Sequence, residues 1–295
     1  MKRFIFFVLV LIPIFSFGKY KALIVTGQSN HNWKVASVIL EQIYNQSGMF
    51  EATVIASPEK GRKMSEFSPD FSACDVVVMI YNGDAWSGSA QTSLDNYVKN
   101  GGALVIVHEA DNAFPEWKAY NEMIGLGGWG DRDEKSGPYV YYENKKEKID
   151  TSAGSGGMHG QQSEVLVVIR NKRHPITKGL PSKWLHSTDE LYGKLRGPAQ
   201  NMTILATAYS DPATNGSGRD EPCLMTIDYG KGRVFHTIFG HISAPPFVSM
   251  NGVGFQHTLL RGTEWTITGK VTQKIPANFP TAKSSSNNTI RFKMN

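Results

Sequence analysis

The alternation of short apolar runs with amphipathic ones constrains the fold of this chain more than any other feature. "YKALIVTG" reads as a strand, and "WKVASVILEQIYNQ" as a helix with Val35, Val38, Ile39, Gln42 and Ile43 on one stripe. "ATVIA", "CDVVVMIY" and "ALVIVHE" are further strands. "GSAQTSLDNYVKN", between the last two, is helical and is stopped by Gly101 and Gly102. Apolar strands separated by helices are the pattern of a sheet buried on both sides. The expected fold class is α/β: a doubly wound, mainly parallel sheet with helices on both faces.

The second half is richer in strand. "YVYYENKKEKI" alternates, and "EVLVVIR", "ELYGKL", "MTILATAY", "CLMTIDYG" and "RVFHTIF" follow as strands before "VGFQHTLLRGTEWTI" closes the domain as a helix. From Val271 the periodicity is lost, and "AKSSSNNTIRFKMN" reads as a loosely held tail. The expected organisation is a signal peptide over 1–18, an α/β domain over 19–270 and a polar tail over 271–295. A chain of 295 residues buries enough apolar surface to need no disulfide or metal for stability. Its two cysteines, Cys74 and Cys223, allow one bridge or two buried thiols.

Lys2 and Arg3 precede an apolar run from Phe4 to Phe17, with the small residues Ser16 and Gly18 placed for a cut before Lys19. That is the layout of a secretory signal, and the run is too short to span a bilayer. The expectation is export to the periplasm or the extracellular space, with no stable membrane anchor after cleavage. The cut removes two cations, taking the formal charge from +5 to about +3. The remaining positive charge is spread along the chain, so nucleic acid is not an expected partner.

Familiar motifs mostly fail their context. "GLGGWG", Gly125 to Gly130, fits the dinucleotide pattern by letter but follows a helix-like segment, so it reads as a glycine turn. No phosphate-binding loop, H-E-x-x-H, C-x-x-C or G-x-S-x-G occurs. The turn after "ALVIV" carries His108 and Glu109 where an acyl-transfer enzyme would carry its nucleophile.

In an open α/β sheet, ligands bind beyond the carboxyl ends of the strands. Three strand ends here each deliver a histidine: His31, followed by Trp33; His108, followed by Glu109; and His241. His236 lies inside an apolar strand and reads as a core histidine. His159 sits in "GSGGMHGQQ", where glycines allow close backbone approach to a ligand. In "WLHSTDELYGKLRGP", Asp189 and Glu190 are adjacent, so on an extended strand one faces a pocket while the other turns away. The longer Glu190 is the expected inward group.

"GGALVIVHEA", "HPITKGLPSKWLHSTDELYGKLRGPAQNMTILATAYSD", "EPCLMTIDYGKGRVFHTIFGH" and "VGFQHTLLRGTEWTITGKVT" closely resemble the ThuA-like (trehalose-utilisation) family, in its secreted branch, over roughly Lys21 to Thr272. The resemblance implies a flavodoxin-like fold of the class I glutamine-amidotransferase type without its nucleophilic cysteine, and so not a glutamine amidotransferase. It implies a link to the metabolism of trehalose and 3-keto sugars. It places recurrent polar residues at His31, His108, Asp189, Glu190, Tyr192 and His241, and Glu109 stands where many relatives are expected to carry a small residue.

The leading expectation is an exported carbohydrate-active protein acting on a small-molecule disaccharide or 3-keto-glycoside by general acid/base chemistry. His108 and His241 are the expected acid and base, with Glu190 or Asp189 assisting. His31, Trp33, His159, Tyr192 and Glu109 are expected to bind substrate. No residue is assigned to a metal in this reading. Two alternatives stand beside it: a non-catalytic carbohydrate-binding module, and a metal-dependent hydrolase in which a divalent metal is held by His31, His108 or His241.

Overall fold

The computed structural model describes residues 18–242, 244–288 and 293, and the expected signal segment lies outside them up to residue 17. The first half runs β1 (Tyr20–Thr26), α1 (Trp33–Gln46), β2 (Phe50–Ala56), β3 (Val76–Met79), α2 (Gly88–Lys99), β4 (Ala103–Val107) and α3 (Lys118–Ile124). The second runs β5 (Tyr139–Glu143), β6 (Lys146–Asp150), β7 (Met158–His159), β8 (Ser163–Ile169), β9 (Lys183–Asp189), β10 (Tyr192–Gly193), β11 (Met202–Tyr209), β12 (Asp220–Tyr229), β13 (Gly232–Thr237), α4 (Val248–Asn251) and α5 (Val253–Thr268).

One mixed sheet has the order β2-β1-β3-β4-β13-β12-β11-β8-β9. Its first five strands are mutually parallel, in the order of a flavodoxin-like sheet, and from β13 to β9 every pairing is antiparallel. The hairpin β5–β6 joins β12, and β7 pairs with β10 apart from the main sheet.

The helices cover both faces. In β13, Phe235 meets Gly262 of α5 while the next residue, His236, meets the Ile124 carbonyl of α3. Adjacent strand residues point to opposite sides, so α5 and α3 lie on opposite faces. This is why β3 and β4 are buried along their whole length and carry no polar alternation. Helix α1 lies beside α5, where the Tyr44 hydroxyl meets Thr263 Oγ1 at 2.8 Å. The buried face of α1 is Ala36, Ser37, Ile39, Leu40, Ile43 and Tyr44, rotated from the expected stripe. Val35, Val38 and Gln42 are only half-buried. The difference arises because Tyr44 finds a buried partner for its hydroxyl and so behaves as core.

The C-terminal segment departs from expectation. Residues 271–288 are not a loose tail but a strap across the antiparallel half. The Thr281 carbonyl accepts from Leu185 N at 2.7 Å, Ser286 O accepts from Val253 N at 2.8 Å, and Phe279 packs edge-on against Trp184 of β9. Polar composition concealed this because the anchor is one aromatic ring plus a few backbone bonds, one to the edge strand β9 and others to the α4–α5 segment. "ELYGKL" also differs: only Tyr192–Gly193 is paired as strand, because Lys194 turns the backbone at φ +50°. Cys74 and Cys223 are both free thiols. Among the described residues, no helix is long and apolar enough to cross a membrane.

Candidate functional site

The carboxyl ends of β1, β4 and β13 lie on one edge of the parallel half, β4 beside β13 and β1 across β3 from β4, and each delivers its histidine to one place. His108 opens the turn after β4 with φ +47°, a left-handed conformation costly for a residue with a Cβ. That turn directs its Nδ1–H to the Ile238 carbonyl at 2.7 Å and leaves Nε2 facing the neighbouring rings. His241 Nδ1 lies 3.2 Å from His108 Nε2, and the His241 Nε2 meets the Gln162 side-chain amide at 3.0 Å. The His31 ring lies 5.1 Å from that of His108 and 4.8 Å from that of His241, centre to centre.

Glu190 completes the group from the far end of the sheet. Its Oε2 is 3.3 Å from His241 Nδ1, 3.7 Å from His108 Nε2 and 3.8 Å from His31 Nε2, while its Oε1 is 3.4 Å from His159 Nδ1. Burial would raise the Glu190 carboxyl, but the three histidines outweigh it and hold the group well below the usual carboxylate range. Burial would lower His108, yet contact with Glu190 and the charges of Glu109 and Asp189 push it up to about 9.

Asp189 does not enter this group. Its Oδ2 accepts from His186 Nε2 at 3.0 Å and Gly240 N at 2.9 Å, and its Oδ1 accepts from Glu190 N at 2.8 Å and His241 N at 3.1 Å. One fully buried carboxylate therefore ties the end of β9 to the segment after β13, placing Glu190 and His241 relative to each other. A Cβ on Gly240, whose φ is +114°, would lie 2.9 Å from the Phe255 ring, so this close approach requires glycine.

A cavity of about 470 Å³ is lined in part by two members of the group, His31 and Glu190, together with His159, while His108 and His241 lie behind them. Its aromatic wall is Trp129 and Tyr192: Tyr192 stacks on His108 with centroids 4.2 Å apart, and Trp129 meets Tyr192 edge-on at 4.7 Å. Burial and then the charges of Asp111, Glu109 and Glu190 raise the Tyr192 hydroxyl well above its ordinary value, so it is a neutral phenol. Asn30, Asn82 and Asn112 supply amides at the rim. Trp33 lies outside this cavity and lines an adjoining groove of about 580 Å³, which shares Asn30, Asn82 and Gly83 with it. Glu109 lies behind His31: its Oε1 is 4.0 Å from His31 Nδ1 and accepts from the Ser29 hydroxyl at 3.3 Å.

Trp129, Asn112 and the residue that places them, Arg132, escaped the reading of the sequence. The Arg132 guanidinium is buried and donates to the carbonyls of Gly128 (2.7 Å), Ala113 (2.7 Å) and Asn112 (3.1 Å). It thereby clamps the turn carrying Trp129 to the loop after β4. The available signal was the tryptophan inside "GLGGWG": a large aromatic in a glycine turn is placed to be presented. A Cβ on Gly157, at φ +89°, would lie 2.6 Å from Trp129 N, which explains the glycines facing that turn. His236, by contrast, is a core histidine, bonded to the Ile124 carbonyl at 2.8 Å and Asp111 Oδ2 at 3.3 Å with no exposure.

A flavodoxin-like α/β sheet with a histidine at the turn after β4, and polar side chains converging beyond its parallel strands, defines the class of protein. The model of the ThuA family, described as trehalose utilisation, matches residues 21–266, and the chain belongs to that family. A solved ThuA-like protein from Parabacteroides merdae is 51% identical, with a TM-score of 0.90, covering 92% of this chain and 98% of that one. A second, from Bacteroides uniformis, is 17% identical with a TM-score of 0.52, covering 86% and 93%, and supports the fold alone. No curated protein matches. Membership places the chain in carbohydrate metabolism, in a role related to trehalose utilisation.

Proposed function

We propose that this chain is an exported enzyme that converts a disaccharide or 3-keto-glycoside by acid/base chemistry at the His31–His108–Glu190–His241 centre. The observation carrying the proposal is that His31 and Glu190 open this centre to a cavity walled by Trp129 and Tyr192. Aromatic faces suit the C–H faces of a sugar ring, and the amides of Asn30, Asn82 and Asn112 suit its hydroxyls. The groove beyond, with Trp33, continues the cavity and gives a second ring a place to lie. A keto group acidifies the adjacent C–H, so a proton acceptor at the floor can draw that proton while a donor beside it supplies one to oxygen. The charged start and apolar run before Lys19 support export.

The test is incubation of purified protein with oxidised and unoxidised disaccharides, followed by mass spectrometry. A product that disappears with Glu190→Gln supports the reading. A sugar bound tightly and never altered would make this a binding module.

A further inference from the structure

We propose that His31, His108, His241 and Glu190 bind a divalent transition-metal cation. The proposal relies on the acid/base reading only for the cavity that the cation would face. The four side chains come from four separate segments, and one ligand atom of each lies within 4.8 Å of all the others. Glu190 Oε2 faces three imidazole nitrogens at 3.3, 3.7 and 3.8 Å. These separations exceed the roughly 2.7–3.2 Å of N–H···O hydrogen bonds. They are near the spacing of neighbouring donors around a cation held at about 2.0–2.2 Å.

Orientation supports the same conclusion. His108 donates Nδ1–H to the Ile238 carbonyl at 2.7 Å, so in the neutral ring the Nε2 lone pair points into the group. His241 Nε2 lies 3.0 Å from the Gln162 amide nitrogen; turning that amide over places its oxygen against an Nε2–H and leaves the Nδ1 lone pair facing the group. Glu109 lies 4.0 Å behind His31 Nδ1, the place from which a carboxylate orients a ligating imidazole. Asp189 fixes the backbones of Glu190 and His241 without competing for the space between them. The other buried acid–histidine contacts, Asp111 with His236 and Asp189 with His186, each have one imidazole and line no cavity, and so show what a purely structural contact of this type looks like.

Three nitrogens and one carboxylate suit zinc, manganese, iron, cobalt or nickel rather than magnesium or calcium, which prefer oxygen. His31 and Glu190 also line the cavity, so the cation has a face open to water or to a sugar's carbonyl and hydroxyl oxygens. With a cation bound, the imidazoles would serve as its ligands, and the cation would supply Lewis-acid polarisation of a sugar oxygen in the cavity.

The experiment uses full-length mature protein without a histidine tag, stripped with chelator and titrated calorimetrically with zinc, manganese and nickel chlorides. Elemental analysis of unstripped protein runs alongside. The expected result is one equivalent of cation per chain, with affinity at least tenfold weaker in both His31→Ala and His241→Ala, whose folding is checked by circular dichroism. His159→Ala, whose ring reaches only the other oxygen of Glu190 and lies largely in solvent, retains the stoichiometry. No binding by wild-type protein, or equal binding by folded His31→Ala and His241→Ala, overturns the proposal. Cation binding without any sugar turnover would sink the enzymatic reading and leave the metal site standing, while turnover by a protein that binds no cation would do the reverse.

Discussion

The parallel and antiparallel halves of the sheet contribute to the site by different means. In the parallel half, β1, β4 and β13 end on the same edge within four neighbouring strands, β3 lying between β1 and β4, so three strand-end histidines come within reach of one another. The antiparallel half ends at β9, last in the sheet order, and must be brought back to the same place. Helix α5 packs against β4 and β13 and also against β9, and Asp189 closes the join by bonding across to Gly240 and His241. A site residue from the parallel half is placed by topology, and one from the antiparallel half by specific polar bonds. The second kind of placement is the more fragile.

The largest effect is expected at the join. Asp189→Ala leaves His186, two backbone amides across the join and the Glu190 amide without their acceptor, and an unsatisfied buried donor costs roughly 1–3 kcal/mol. Urea denaturation should show a loss of about 3–5 kcal/mol together with loss of activity. An unaffected protein would show that the halves meet without this carboxylate. Glu190→Gln separates placement from chemistry, because the shape is kept and the charge removed. Turnover should fall about 10²–10⁴-fold, read as kcat by mass spectrometry, with a much smaller change in stability than Asp189→Ala.

Phe279→Ala addresses the antiparallel half alone. Removing the ring from against Trp184 and His257 should cost about 3 kcal/mol and expose residues 271–288 to proteolysis before the rest of the chain. Acid should act on the α5 side next. His257 and His174 are both lowered to about 4 by burial, His257 also by the nearby Arg261 charge. Both are neutral in the folded chain where the unfolded chain binds protons. The contribution of these two residues is therefore constant above the ordinary value of 6.5 and falls as pH drops from 6.5 through 4. Thermal melts across that range check this, and His257→Asn should flatten part of the slope. Trp33→Ala, in the groove of the parallel half, is expected to do least: a few-fold rise in KM for a two-ring substrate, no change for a one-ring one, and a melting temperature within a degree or two.

Much of the framework was legible. Apolar runs without alternation announced strands buried on both faces, and the strand-end rule singled out His31, His108 and His241 because a parallel sheet places all its carboxyl ends on one edge. Trp129 and Asn112 were not legible. Loop residues carry no periodicity, and the bonds from Arg132 that hold them join residues with no fixed spacing. The docking of residues 271–288 was hidden because its backbone bonds, to β9 and to the α4–α5 segment, leave no mark on composition. The buried face of α1 was misjudged by a partial turn, since only tertiary contact shows that the Tyr44 hydroxyl has a partner in Thr263.

By itself, the sequence determined the class of fold, the family and the edge of the sheet on which a site would form, because hydrophobic periodicity and strand polarity are local properties that survive without coordinates. Tertiary structure alone decided that Glu190 faces the histidines while Asp189 turns to the backbone, and that Glu109 lies behind His31 and Trp33 lies in a separate groove. It also decided that the three imidazoles share one carboxylate oxygen. These facts depend on the direction of side chains from segments up to 210 residues apart, His31 to His241, and direction is set by the packing that joins those segments.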